Sequence, residues 1–491
     1  MIHHPSGGTP AALPPIPFAR TAVTFNSFPF LVFAAVFFLF WPRIRGRNPL
    51  RWAGITAASF VFYGWWDWRY LFLLFANGLC DFLVALAMEK YPKRKRIFLA
   101  ASIAANLGTL AGFKYLGFLA VNANALLATF TDARLPVLHP TLPIGISFYT
   151  FHSLSYIIDV YRGRLRATRK FLHFLSYLSL FPHLVAGPVL RGTDFLPQLE
   201  HGRGATAEQR WDGLRLIAHG FFKKVVIADN LAPVVNYAFA AAVPAASMPY
   251  WWLVTTLFAF QIYCDFSGYS DIARGLAKWM GYEFPLNFDH PYTSTSVREF
   301  WTRWHISLSS WFRDYVYVPL GGARAGAWSG HRNLWIAMLL SGLWHGAAWH
   351  FLAWAALHAF YVSLERWTEW PKHVLRLRAG RPLAWFIVLL QVWVAWVFFR
   401  AESFEQALRI LGHMFDPWQW EMVRLKPLMR TTIGILALAA AREVWCFLRP
   451  EGIGLARWSG FRWLEPIALV AMLVASVYLR GPGNVFIYFQ F

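Results

Sequence analysis

Apolar runs of membrane-crossing length recur along almost the whole chain, and they restrict it to folds that sit in a bilayer. The first is Phe25 to Trp41. Others cover about 50 to 66, 69 to 88, 97 to 119, 143 to 160, 171 to 190, 249 to 264, 333 to 362, 383 to 399, 428 to 446 and 463 to 479, each close to the roughly 20 residues a helix needs to cross. Lipid cannot hydrogen-bond a free backbone, so such runs become helices. The prediction is an all-α, polytopic transmembrane bundle of about eleven spans, with re-entrant and interfacial helices. Composition agrees: 57% of the 491 residues are apolar and 14% charged, whereas soluble chains carry about a quarter charged. Residues 1–24, rich in Pro, Gly and Ala, read as a flexible tail without the basic start of a signal peptide. Residues 25–491 read as a single membrane-embedded domain.

The formal charge is +21, from 46 Lys and Arg against 25 Asp and Glu. Its distribution decides what it means. The bases gather between apolar runs, at Arg43, Arg45, Arg47 and Arg51, at Lys90 to Arg96, at Arg162 to Lys170 and again from Arg366 to Arg381. This is the pattern of cytoplasmic loops. Topology and contact with lipid headgroups account for it, a dedicated polyanion site being the competing reading; no nucleic acid partner is implied. Counting crossings between the basic loops puts the N-terminus outside. Cys80, Cys264 and Cys446 form no CxxC pair, so neither a disulfide framework nor a cysteine zinc site is supported. No fixed-period repeat is visible, which weakens a transporter built from paired halves.

Between Gly204 and Lys224, and from Asp265 to Gly330, charge and Gly/Pro interrupt the apolar pattern. Irregular backbone at membrane depth must be buried in protein or line a wet cavity. Within the second stretch, REFWTRWHISLSSWFRDYVY (Arg298 to Tyr317) reads as one amphipathic helix. Trp301, Trp304, His305, Leu308, Trp311 and Phe312 take one face, and Arg303, Ser307, Ser310 and Asp314 the other. His305 is a functional candidate or a hydrogen-bonded packing residue.

LLSGLWHGAAWHF (Leu339 to Phe351) places His345 inside an apolar run. An ionisable group there is a functional candidate by default. Ser341 and Trp349 fall four residues either side on its face, and Trp344 precedes it. Small neighbours such as Gly342 and Gly346 leave room for a substrate, or alternatively for a closely packed helix. A buried imidazole is expected to be neutral, the state a general base requires. Metal is not predicted: His345, His350 and His358 lack ligand spacing. Nor is a serine nucleophile, because no G-x-S-x-G occurs. In QIYCDFSGYSD (Gln261 to Asp271), Asp265, Ser267, Ser270 and Asp271 break an apolar span. Asp271 is expected to pair with a base such as Arg274, while Asp265 walls a cavity or pairs likewise. PHLVAGPVLR (Pro182 to Arg191) and GFFKKVVIADN (Gly220 to Asn230) read as interfacial breaks.

Taken together, WTRWHISLSSWFRDYVYVPLGG, LLSGLWHGAAWHF, FPHLVAGPVLR and QIYCDFSGYSD resemble the membrane-bound O-acyltransferase family, and within it the bacterial alginate O-acetyltransferase branch. The likeness runs from about Phe25 to the terminal FIYFQF. It implies a multi-helix body with a funnel on each face, meeting centrally near His345 in the catalytic position, with His305 in the second functional position. Trp301, Arg303, Trp304, Asp314, Ser341, Trp344, Trp349 and Asp265 are the candidate substrate-binding residues around that pair.

The resemblance further implies a thioester donor, acetyl-CoA or another acyl thioester, with no bound cofactor. It also implies a polysaccharide acceptor such as alginate and a periplasmic or membrane-anchored partner acyltransferase. His345 would draw a proton from the acceptor hydroxyl. His305 would position it, or stabilise the oxyanion if protonated. The motifs leave D-alanyl or long-chain acyl transfer to an envelope polymer, lipid or protein open, and the rival of another class is a transporter or flippase.

Overall fold

Apolar segments satisfy their backbone groups locally, and among the described residues every regular element is a helix. The computed structural model describes residues 24–138, 140–185, 187–202, 204–240, 247–324, 326–420, 427–448, 464–483 and 486–487. The tail predicted over 1–24 lies outside them except for Thr24.

The chain opens with α1 (Phe28–Ile44), α2 (Asn48–Asp67) and α3 (Arg69–Lys90). Ser27 starts α1, its hydroxyl accepting from the Phe30 N–H at 3.3 Å. The basic clusters fall at and between helix ends, except that Arg51 lies inside α2 and is buried, donating to the Leu199 and Glu200 carbonyls. The run 97 to 119 divides at Tyr115 into α4 (Lys95–Lys114) and α5 (Leu116–Leu127), and α6 (Ile146–Tyr161) follows. The run 171 to 190, expected as one span, is instead broken. It forms α7 (Phe171–Ser179) and the single turn α8 (Phe181–Leu184), with Leu180 at ψ 117° between them. Pro182 occupies the first turn of α8, where its missing N–H does no harm.

Two short helices, α9 (Gly192–His201) and α10 (Ala207–Phe221), lead into a π-helical stretch, Phe222–Ala228, and α11 (Asp229–Phe239). Next comes α12 (Met248–Met280), 33 residues long. It passes unbroken through QIYCDFSGYSD, contrary to the sequence expectation, because lysines of the π stretch neutralise the acids. Lys224 Nζ lies 2.6 Å from Asp265 and 2.8 Å from Asp229, and Lys223 Nζ lies 2.7 Å from Asp271. Arg274 is a more distant partner of Asp271, at 3.5 Å.

Close approach holds α10 against α12. A Cβ added at Gly220 would stand 2.6 Å from the Gly268 carbonyl oxygen, and one at Gly268 would stand 2.7 Å from that of Gly220. Gly275 and Gly213 repeat the reciprocal contact at 2.6 and 2.8 Å. Antiparallel helices with matched glycines bring their backbones together in this way.

Beyond α12 an extended, largely buried segment leads to α13 (Val297–Arg303) and α14 (Ile306–Phe312), followed by a π-helical turn, Arg313–Tyr317. The single amphipathic helix predicted over 298 to 317 is thus interrupted at Trp304 and His305. The run 333 to 362 is likewise two helices, α15 (Ala327–His345) and α16 (Trp349–Thr368), parted by Gly346 in extended conformation. The chain continues through α17 (Trp370–Leu375), α18 (Gly380–Arg400), α19 (Phe404–Met414), α20 (Pro427–Leu448) and α21 (Leu464–Tyr478).

Among the described residues, three helical stretches are long and apolar enough to cross a membrane: Arg69–Lys90, Pro92–Lys114 and Gly380–Arg400. Shorter apolar helices include Phe28–Ile44, Leu116–Leu127 and Glu465–Tyr478. The segments around the two histidine motifs are broken, polar or both.

Candidate active site

His345 is the last residue of α15, and the helix stops there for a physical reason. Gly346 turns extended, and a Cβ at that position would collide with the Phe351 ring at the start of α16. At Gly342 a Cβ would meet the Ala355 Cβ and the Phe351 carbonyl oxygen, both at 2.6 Å. The small residues of this motif therefore serve the close packing of α15 on α16. Only 4% of His345 is exposed. Its ring sits among Trp344, Trp354 and Phe399, with centroids 4.9, 5.0 and 5.2 Å away.

The end of α15 exposes carbonyl oxygens that no further turn can satisfy. Lys114 and Tyr115, at the junction of α4 and α5, meet that demand. Lys114 Nζ donates to the Trp344 carbonyl and, at 3.2 Å, to that of His345. Tyr115 donates its hydroxyl to the Leu343 carbonyl at 2.7 Å. A cation at a helix C-terminus also complements the helix dipole. Sequence reasoning missed both residues, since nothing near Lys114 signals a helix end more than 200 residues away.

His305 also packs on Trp344, ring centroid to ring centroid 6.0 Å. It lies between α13 and α14 with φ 43°, a left-handed conformation that is uncommon outside glycine. Backbone outliers of this kind are stored at functional sites when their surroundings hold them. Here the holding group is Asn287: its carbonyl accepts from the Ile306 N–H at 2.9 Å, and its side-chain oxygen lies 3.1 Å from His305 Nδ1. Phe266 on α12 meets the ring edge to face at 4.6 Å.

The predicted substrate-binding residues divide into two groups. Trp344 contacts both histidines. Trp301 touches Trp354 and His358, at centroid distances of 5.8 and 5.0 Å. Trp304, 1% exposed, packs on Trp396 at 5.0 Å, and Ser341 is buried one turn before His345. The others are drawn elsewhere. Arg303 pairs with Glu299 at 3.0 Å, and Asp314 pairs with Arg191 at 2.7 Å. Trp349 is 60% exposed, its indole N–H donating to Asn122 at 3.0 Å. Asp265 belongs to the buried Lys224 cluster, where it also accepts from the Ile487 N–H at 2.8 Å. Among the described residues no group of three His, Cys, Asp or Glu is arranged to hold a metal ion.

The arrangement offers two imidazoles in an aromatic enclosure, suited to moving one proton and excluding water. The sequence profile of MBOAT, the membrane-bound O-acyltransferase family, matches residues 162–399, a region that contains both histidines. The chain is 41% identical over 419 residues to the probable alginate O-acetylase AlgI of Azotobacter vinelandii, covering 83% of this chain and 82% of that protein. It belongs to the membrane-bound O-acyltransferase family. The Pseudomonas aeruginosa protein of the same name is 39% identical, with 86% of this chain and 80% of the relative covered. The peptidoglycan O-acetyltransferase of Helicobacter pylori is 34% identical over 75% of this chain and 74% of its own length. The membership makes this chain a membrane-bound acyltransferase and confirms the resemblance carried by the histidine motifs.

Proposed function

We propose that the chain transfers an acetyl group from a cytoplasmic thioester, most simply acetyl-CoA, across the membrane to a hydroxyl acceptor, for modification of an extracytoplasmic polysaccharide such as alginate. The observation that carries the reading is the approach of both His345 and His305 to one indole, Trp344, at ring-centroid distances of 4.9 and 6.0 Å. Relatives named alginate O-acetylase and peptidoglycan O-acetyltransferase support the acyl group and the polymeric acceptor.

In this reading His345, as a neutral imidazole, takes the proton of the acceptor hydroxyl while that oxygen attacks the thioester carbonyl. The carbon–sulfur bond then breaks, and the imidazolium returns its proton to the departing thiolate. Holding both reactants in one water-poor passage supplies orientation on the order of several kcal/mol. A bundle of about eleven spans in the inner membrane, with its N-terminus outside, is part of the reading, as are funnels from both faces meeting at His345. So is a periplasmic or membrane-anchored partner that receives the acetyl group and delivers it to the polymer. Ser341, Trp301 and Trp304 line the approach.

Purified protein in liposomes with radiolabelled acetyl-CoA inside and acceptor outside tests it. Free CoA and labelled acceptor are the expected products. Intact thioester with accumulated solute would mean transport instead. His345→Ala should insert at the normal level and lose transfer by a factor of at least about 100; full activity in that variant would refute the assignment.

A further inference from the structure

His305 Nδ1 lies 3.1 Å from the side-chain oxygen of Asn287, and the surrounding hydrogen bonds decide which atom carries the proton. That oxygen also faces the Ser307 backbone N–H at 3.3 Å and accepts from the Ser307 hydroxyl at 2.8 Å. A backbone N–H can only donate, so the atom it meets is an acceptor and the amide cannot be turned round. The other end agrees: the Asn287 amide nitrogen donates to the Ser270 hydroxyl at 3.1 Å. The Ser307 oxygen, having given its hydrogen to Asn287, accepts from the Val189 N–H at 2.9 Å. Against an oxygen so defined, His305 Nδ1 must be the donor.

We propose that Asn287 is a positioning residue that holds His305 as the neutral tautomer protonated on Nδ1, so that Nε2 acts in the reaction as an acceptor. Asn287 is 1% exposed and reaches His305 from the buried segment that follows α12. Its carboxamide fixes the ring without a negative charge that would favour the imidazolium. Phe266 and Phe288 pack on the ring, and so does the Trp344 indole. His345, at the end of α15, is a titratable group that packs on the same indole, its centroid 4.9 Å from that of Trp344. Of the two roles open to His305, positioning and oxyanion stabilisation, this chooses the first: Nε2 receives a hydrogen bond from a reactant O–H or N–H. An oxyanion would require a donor at that nitrogen.

The role in catalysis rests on the acetyl-transfer reading; the tautomer does not, and the two are tested separately. Protein labelled with 15N-histidine, reconstituted in lipid, should show by solid-state NMR a neutral ring for His305 with hydrogen on Nδ1, assigned by its loss in His305→Gln. Hydrogen on Nε2, or on both nitrogens at neutral pH, overturns the proposal whatever the enzyme acylates.

Asn287→Asp keeps the acceptor oxygen and adds a charge that favours imidazolium. If neutral His305 is the working form, the acid limb of kcat against pH moves to higher pH in this variant. If His305 works protonated, activity instead extends or rises near neutrality, and the proposal fails. Asn287→Ala frees the ring and should lower kcat on the order of tenfold or more with KM nearly unchanged. A loss confined to KM would count against it.

Discussion

At the scale of single residues, the site depends on groups that hold the two imidazoles as much as on the imidazoles. Lys114 and Tyr115 close the carbonyl end of α15 directly at His345, and Asn287 closes the turn at His305. Removing a charged donor from buried carbonyls costs about 1–3 kcal/mol. Lys114→Met should therefore lower the melting temperature of the detergent-solubilised protein and reduce kcat together, since the displaced helix end carries the His345 ring with it. Normal kcat at reduced stability would show that Lys114 serves folding alone. His345 was legible as a functional candidate because a histidine in an apolar run has few structural uses. Lys114 was not, because its partners are carbonyls whose exposure depends on where a distant helix stops.

Between elements, glycine pairing sets how closely α10 and α12 approach. Gly220 and Gly268 each stand where the other's carbonyl leaves no space for a methyl group. Gly268→Val should separate the helices and destabilise the fold by about 1–3 kcal/mol, measured as a lower midpoint in thermal unfolding. Gly108, inside α4 with nothing within 4 Å, is the control at which Gly→Ala should leave stability unchanged or raise it by up to about 1 kcal/mol. The helix breaks were harder to read. Periodicity over 298 to 317 matches one helix well, yet the chain turns at His305, where buried hydrogen bonds to Asn287 hold a backbone conformation that local preference disfavours. The opposite error arose at Asp265. Two acids suggested an interrupted span, but Lys223 and Lys224 supply the countercharge and the helix continues.

Across the whole molecule, the Lys224 cluster ties α12 to the π stretch, to α11 and to the C-terminal segment at Ile487. Both carboxylates and the ammonium are nearly inaccessible, with side chains 2 to 4% exposed. Lys224→Met would strand two acids in the interior, a change worth roughly 3–5 kcal/mol. We expect little folded protein from that variant and recovery when Asp229→Asn and Asp265→Asn are added, as read by monodisperse yield. The proposed topology has its own test: single cysteines at Lys93 and Asp132 should react with impermeant reagents from the inside and the outside, respectively. Labelling of both from one side would overturn the orientation.

From its sequence alone the chain is a helical membrane protein with basic loops and two histidine motifs of the acyltransferase family. Those properties depend on local hydropathy, charge and order along the chain, which need no knowledge of contacts. The tertiary structure alone decided that small residues beside His345 admit a packed helix, that Trp349 and Asp314 bond to partners away from the histidine pair, and that Asn287 meets His305 Nδ1. Each of these depends on which distant groups are brought into contact by folding, which is settled only once the helices have stopped and met.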